Sequence, residues 1–134
     1  GFSLEKRAKF MKFQPDSTDG VSITAYTDEW IAVNGVAHHN HLLIDAHGRV
    51  EAWQHTQLEQ WPEPDCQRIL QSHCELLLLG TGRRHLPIAP ARLTWFFQRG
   101  IGVEAMATAA ACRTFNVLAG EGRKVVGIFL LPRN

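Results

Sequence analysis

Six consecutive residues, Gly80-Thr81-Gly82-Arg83-Arg84-His85, set two glycines and a hydroxyl beside three basic side chains. Backbone N–H groups of Gly80 to Arg83, backed by Arg83, Arg84 and His85, could cradle a phosphate or carboxylate. A tight exit turn carrying a solvated basic loop uses the same residues without a ligand. A phosphate-binding loop runs from strand through glycines directly into a helix. Here the next helical pattern starts near Pro90, so the segment departs from that loop. Gly100-Ile101-Gly102-Val103-Glu104-Ala105 spells the dinucleotide fingerprint but runs from a helix end into a strand, the reverse of what the fingerprint needs. Gly100 therefore reads as a helix cap and Gly102 as a site of close packing.

Further along, Cys112 falls in the first turn of a predicted helix next to Arg113, where the helix dipole and a cation favour a thiolate. No His or Asp at a telling spacing completes a dyad, and a free Cys is commonly a small buried hydrophobe. Thr108, Thr114, Asn116 and Arg123 can line a polar cleft beside Gly80 to Gly82, or cap helices and satisfy backbone groups. The candidate cleft is thus Gly80, Thr81, Gly82, Arg83, Thr108, Cys112, Arg113, Asn116 and Arg123. His38, His39, His41 and His47 cluster, with His39 and His41 expected on one strand face. They lack a second ligand pair at metal-site spacing, so solvated or stacking imidazoles are expected, with no metal and no cofactor. Trp30, Trp53, Trp61, Trp95, Phe96 and Phe97 read mostly as core, although an exposed aromatic cluster can anchor a protein partner.

These groups must be held by elements that the hydrophobic period reveals. Val21 to Trp53 alternates with a period of two, and Asp19-Gly20, Asn34-Gly35 and Asp45-Ala46-His47-Gly48 punctuate it, giving an antiparallel meander of four short strands. From Pro64 to Cys74 the apolar residues Cys66, Ile69, Leu70 and Cys74 make one face of an amphipathic helix. Cys66 and Cys74 on that helix would lie ~12 Å apart, beyond disulfide reach. Leu76 to Leu79 is apolar on both faces, as a covered strand must be. Pro90 to Gln98 predicts a second helix with Leu93, Phe96 and Phe97 as its buried stripe. Ile101 to Met106 predicts a strand, Thr108 the cap of a helix to about Ala119, and Val125 to Leu131 another covered strand.

The pattern predicts an α/β fold, a three-layer α/β/α sandwich around a mixed sheet, in which the meander precedes a parallel αβαβαβ half. Its 134 residues are one domain's length. The expected division is an N-terminal arm at 1–20 and a single α/β domain at 21–134. Met11 offers an internal start that would leave Gly1 to Phe10 foreign to the native chain, a native arm being the alternative. Apolar residues make up 45% and charged residues 20%, which excludes collagen-like and wholly disordered classes. A net charge of +1 supplies no field to gather nucleic acid or an anionic membrane. No apolar run approaches the ~20 residues of a membrane span. Three cysteines, odd and sparse, suggest a reducing, cytoplasmic setting.

One series of residues is specific: Leu79-Gly80-Thr81-Gly82, then Gly100-Ile101-Gly102-Val103-Glu104, then Met106, Thr108, Ala110-Ala111, Thr114, Asn116 and Glu121-Gly122-Arg123. It resembles the family containing the mitochondrial complex I assembly factor 3 and many uncharacterised bacterial and archaeal relatives, over roughly Val21 to Pro132. The resemblance implies a three-layer sandwich around a mixed sheet, no established catalytic residues, no known cofactor, and eukaryotic members linked to assembly of a respiratory complex. This chain departs from the family pattern at Ala107, where relatives usually have Asp, and at Ala109, where Gly is frequent. It also carries His38 and His41 where relatives often have Tyr and Ser. The expectation is a non-catalytic protein-interaction or assembly factor with a protein partner, no nucleic acid, and a homodimer permitted. An anionic-metabolite binder or enzyme using the Gly80-Thr81-Gly82 edge is the alternative.

Overall fold

In a computed structural model, residues 20–133 are described, so the expected N-terminal arm, Gly20 apart, lies outside them. The elements in order are β1 (Ile23–Tyr26), β2 (Ile31–Val33), β3 (Val36–His38), β4 (Leu42–Ile44), β5 (Val50–Ala52), α1 (Glu63–Gln71) and β6 (Leu76–Gly80). A 3-10 turn (Pro90–Arg92), α2 (Thr94–Phe97), β7 (Gly102–Met106), α3 (Thr108–Gly120) and β8 (Val125–Phe129) follow.

The expected sandwich is present, and its central layer is a five-stranded mixed sheet in the order β5-β4-β8-β6-β7. β6 pairs parallel with both β7 and β8, so the three apolar segments run in one sense, while β4 and β5 add antiparallel. Leu77, Leu79, Val126 and Ile128 point to one face, where Trp53, Cys66 and Ile69 of α1, and Phe96 of α2 cover them. Leu76, Leu78, Val125 and Phe129 point to the other, beneath Ala111, Cys112 and Phe115 of α3. Strands apolar on both faces are what two covering layers demand.

The meander differs from expectation in number and in destination. It has five strands rather than four, and they divide between two sheets. Strands β1 to β3 form a small antiparallel sheet beside α3, turning at Asn34-Gly35, both with positive φ (49° and 84°) as a tight hairpin requires. Ile23, Tyr26, Ile31 and Val33 share the α3-side core. His39 to His41 then carry the chain into the main sheet, which separates His39 and His41 from any common strand face.

Two helices are shorter than the periodicity suggested. α1 stops at Gln71, and His73 (φ 56°) turns the chain, so Cys74 lies beyond the helix. Pro90 to Gln98 divides into the 3-10 turn and the single-turn α2. Leu93 and Phe96 are buried as expected, but Phe97 is exposed because so short a helix has no second turn to bring it inward. Gly100 (φ 77°) ends this segment in the left-handed conformation expected of a cap.

Candidate functional site

Because β6, β7 and β8 are parallel, their last residues, Gly80, Met106 and Phe129, end on one rim, the edge at which open α/β sheets bind ligands. The chain leaving β6 is fastened there. The Thr81 N–H donates to the Met106 carbonyl at 2.8 Å, and the Leu130 N–H donates to the Gly80 carbonyl at 2.9 Å. Gly80 is required by closeness: a Cβ on it would lie 2.9 Å from Thr108 Oγ1 and 3.1 Å from the Thr108 Cα.

Thr108 binds this corner together. Its hydroxyl donates to the Leu130 carbonyl at 2.6 Å and accepts the Gly82 N–H at 2.8 Å, while its own N–H donates to the Gly82 carbonyl at 2.8 Å. It therefore does not cap α3; the cap position belongs to Ala107, which makes no side-chain cap bond. Thr81 plays a matching part in the basic loop. Its hydroxyl lies 2.5 Å from the Arg84 carbonyl and 3.1 Å from that of Met106, and accepts the Leu86 N–H at 3.0 Å. The N–H groups of Thr81 and Gly82 are thus consumed within the fold, and the backbone anion cradle loses these two donors. What remains cationic at the rim is carried by side chains.

Those side chains border a cleft of about 550 Å³ lined by Thr56, Thr81, Arg83, Arg84, Leu130 and Arg133, among others. Arg83 is paired with Asp28 of the β1–β2 loop at 2.9 Å. Arg133 reaches the His39 carbonyl at 3.3 Å. Next to the cleft, and sharing Thr56, Thr81, Leu86 and Leu130 with it, is a recess of about 120 Å³ walled by Leu58, Pro87 and Ile88.

The remaining candidate residues are not all at this rim. Gly80, Thr81, Gly82, Arg83 and Thr108 are brought together. Cys112 lies in the core, fully buried, and burial pushes its thiol up to about 12 despite Arg113, which suppresses the thiolate that a nucleophile needs. Arg113 is exposed on α3. Asn116 clamps β1: its Oδ1 accepts the Ile23 N–H and its Nδ2 donates to the Ile23 carbonyl, each at 2.8 Å. Arg123 pairs at 2.8 Å with Glu75, the residue before β6, and so sits at the opposite end of the sheet from Gly80. Cys66 and Cys74 are also buried free thiols whose pKa values burial raises.

His41 has a structural use. Its Nδ1 accepts the Leu131 N–H at 2.8 Å, which ties the segment after β8 to the start of β4. Burial, and then the nearby Arg133 guanidinium, lower its pKa. Among the described residues no three His, Cys, Asp or Glu side chains come together to hold a metal ion. The aromatic residues form a chain of contacts from Trp53 through Trp61 and Phe96 to Trp95, tilted between Trp53 and Trp61 and edge-on beyond, with Arg99 stacked 3.8 Å over Trp95. Trp53 and Phe96 are core, and Trp61 and Trp95 are half-buried beside a second cavity of about 580 Å³.

Residues missing from the sequence-based cleft are Thr56, Leu86, Leu130 and Arg133. Arg133 had a signal available, since any residue just past β8 must emerge at the same rim as Gly82 once the strands are parallel. Thr56 had none, because the loop from β5 to α1 has no period to place it.

Residues 23–130 match the family model described as "Protein of unknown function (DUF498/DUF598)". The chain belongs to this family. Solved structures are similar to it: a Bordetella parapertussis protein is 37% identical with a TM-score of 0.69, over 86% of this chain and 98% of that one. A Bordetella pertussis protein described as a Mth938-like domain is 31% identical with a TM-score of 0.67, over 91% of this chain and 93% of that one. The Bos taurus NADH dehydrogenase [ubiquinone] 1 alpha subcomplex assembly factor 3 is 44% identical over 64 residues, 48% of this chain and 34% of that protein. This chain therefore aligns with about a third of the length of that curated relative. No helix among the described residues of the DUF498/DUF598 chain is long and apolar enough to cross a membrane.

Proposed function

We propose that this DUF498/DUF598 chain is a non-catalytic recognition factor that binds a protein partner, in the manner of an assembly factor, and works in a reducing cytoplasm. The carrying observation is the rim. Thr81 and Thr108 spend their hydroxyls on Arg84, Met106, Leu130 and Gly82, leaving no activated nucleophile there, while guanidinium groups line an open cleft. That arrangement suits recognition more than bond chemistry. The similarity to the bovine assembly factor, over 64 residues, supports the same reading.

Affinity capture from the native host tests it. The expected result is one defined partner that rebinds the purified chain in a reconstituted mixture. A capture indistinguishable from a tag-only control overturns the reading. The alternative, an anionic-metabolite binder or enzyme at the same edge, predicts thermal stabilisation by phosphorylated or carboxylated metabolites at millimolar concentration; the recognition reading predicts none.

A further inference from the structure

The arginine cleft and the recess beside it have different chemistry, and their order along the rim specifies an occupant. Arg83 is already held by Asp28, whereas Arg84 has no carboxylate partner among the described residues. Arg84 and Arg133 both line the cleft, Arg133 with one guanidinium nitrogen on the His39 carbonyl, and the guanidinium fork is a geometry that matches carboxylates in bidentate fashion. The adjoining recess has Leu58, Leu86, Pro87, Ile88 and Leu130 in its wall, with Thr56, Gln57, Glu59 and Thr81 beside them and no arginine. Its 120 Å³ is comparable to the ~150 Å³ cavity that admits a single benzene ring, so it has room for one aliphatic side chain. Glu59 borders the recess and is absent from the arginine cleft, so a ligand's acidic groups must lie toward the arginines and its apolar group toward Leu58.

Leu86, which lines both spaces, is 57% exposed, and Arg83 and Arg84 are also exposed. Small-molecule pockets bury about 70–90% of their ligand, which such an exposed rim does not do. An extended segment lying across the rim meets the same groups without enclosure.

We propose that the rim formed by Arg84, Leu86, Leu130 and Arg133 is the docking surface for an acidic segment of the partner protein, with one aliphatic side chain of that segment seated between Leu58 and Ile88. This rests on the recognition reading above and names its partner's chemistry. The carboxylates pair with Arg84 and Arg133, and the aliphatic group supplies the anchor that exposed ion pairs alone do not.

The test uses the peptide acetyl-Glu-Leu-Glu-Glu-amide at up to about 5 mM, a range suited to weak segment binding, followed by amide chemical shifts of the whole chain. Shifts confined to Thr81–Leu86, Leu58 and Leu130–Arg133 are expected. The double variant R84E/R133E, with an otherwise unchanged spectrum, should bind about tenfold more weakly, as should wild type in high salt. A lysine-for-glutamate peptide should not bind, and an alanine-for-leucine peptide should bind several-fold more weakly. No shifts, shifts elsewhere, or a response to citrate equal to that of the peptide and independent of the leucine overturns the proposal. Host capture separates the two failures. If R84E/R133E retains the partner that wild type retrieves, the docking surface is wrong and the recognition reading stands. If wild type retrieves nothing specific, the recognition reading itself fails.

Discussion

The hydroxyl of Thr108, the first residue of α3, donates to the carbonyl of Leu130, the first residue past β8, at 2.6 Å with no solvent exposure of the threonine. The same oxygen accepts the Gly82 N–H. One side chain therefore joins the exits of β6 and β8 to the start of the helix that connects β7 with β8. The junction sets where the exits of β6 and β8 lie relative to α3.

Thr108→Val keeps the shape and removes both bonds, leaving a buried N–H and a buried carbonyl short of a partner. Each such group costs about 1–3 kcal/mol, so a loss of about 2–6 kcal/mol is expected, with Thr108→Ser losing much less. Denaturant titration of the three proteins checks this. Equal midpoints for the valine and serine variants would show that the junction carries no stability.

Gly127 is set by packing. A Cβ there would come 2.5 Å from ring atoms of Phe129 and 3.0 Å from Phe115, the two rings that pack edge-on at 5.6 Å. Gly127→Ala should destabilise by about 1–3 kcal/mol, the usual cost of overpacking. Adding Phe129→Leu should restore part of that loss, a coupling that a double-mutant cycle measures directly.

Much of this was legible in the sequence, for physical reasons. Leu76–Leu79 and Val125–Leu131 are apolar without alternation, which only a strand covered on both faces explains, and from them the parallel sheet and its rim follow. Asn34-Gly35 announced its hairpin through residues that tolerate positive φ. What stayed hidden depends on single contacts. The burial that silences Cys112 and the pairing of Arg123 with Glu75 at the far end of the sheet leave no mark on local composition. Nor could alternation show that β4 leaves the meander to pair with β8, taking β5 with it as the edge strand, because strands look alike whichever sheet they join. Thr108 at a helix start reads as a cap, and only the arrival of Leu130 and Gly82 gives its hydroxyl a different use.

Asn116 holds β1 by its carboxamide alone, accepting from and donating to Ile23. It occupies the outer edge of the small sheet as a neighbouring strand would. Asn116→Leu should leave the parallel sheet intact while exposing β1, with hydrogen exchange at Ile23 accelerating far more than at Leu78. Uniform acceleration across both sheets would show instead that β1 opens only with the whole fold.

Cys112 should be silent toward alkylation in the folded chain, since burial places its thiol at about 12 and removes access together. With iodoacetamide at pH 8, modification of Cys112 should keep pace with unfolding of the whole molecule and rise in parallel with added denaturant. Rapid labelling of Cys112 under native conditions would contradict both its burial and its raised pKa.

Protonation of His41 would consume the lone pair that receives the Leu131 N–H and add a charge beside Arg133. Burial and that guanidinium lower its folded pKa below the ordinary value of 6.5. The unfolded chain then takes up this proton first as pH falls. Its contribution is fully present above about 6.5 and is lost on descending from there toward the lower folded value, below which it no longer changes. The chain carries seven histidines, so the comparison must be differential. In Asn the side-chain oxygen can stand where Nδ1 accepts, without a titrating group. His41→Asn should therefore show a smaller drop in Tm between pH 7.5 and pH 5 than wild type. If the two chains lose Tm in parallel, the His41–Leu131 bond contributes nothing to the acid sensitivity of the rim.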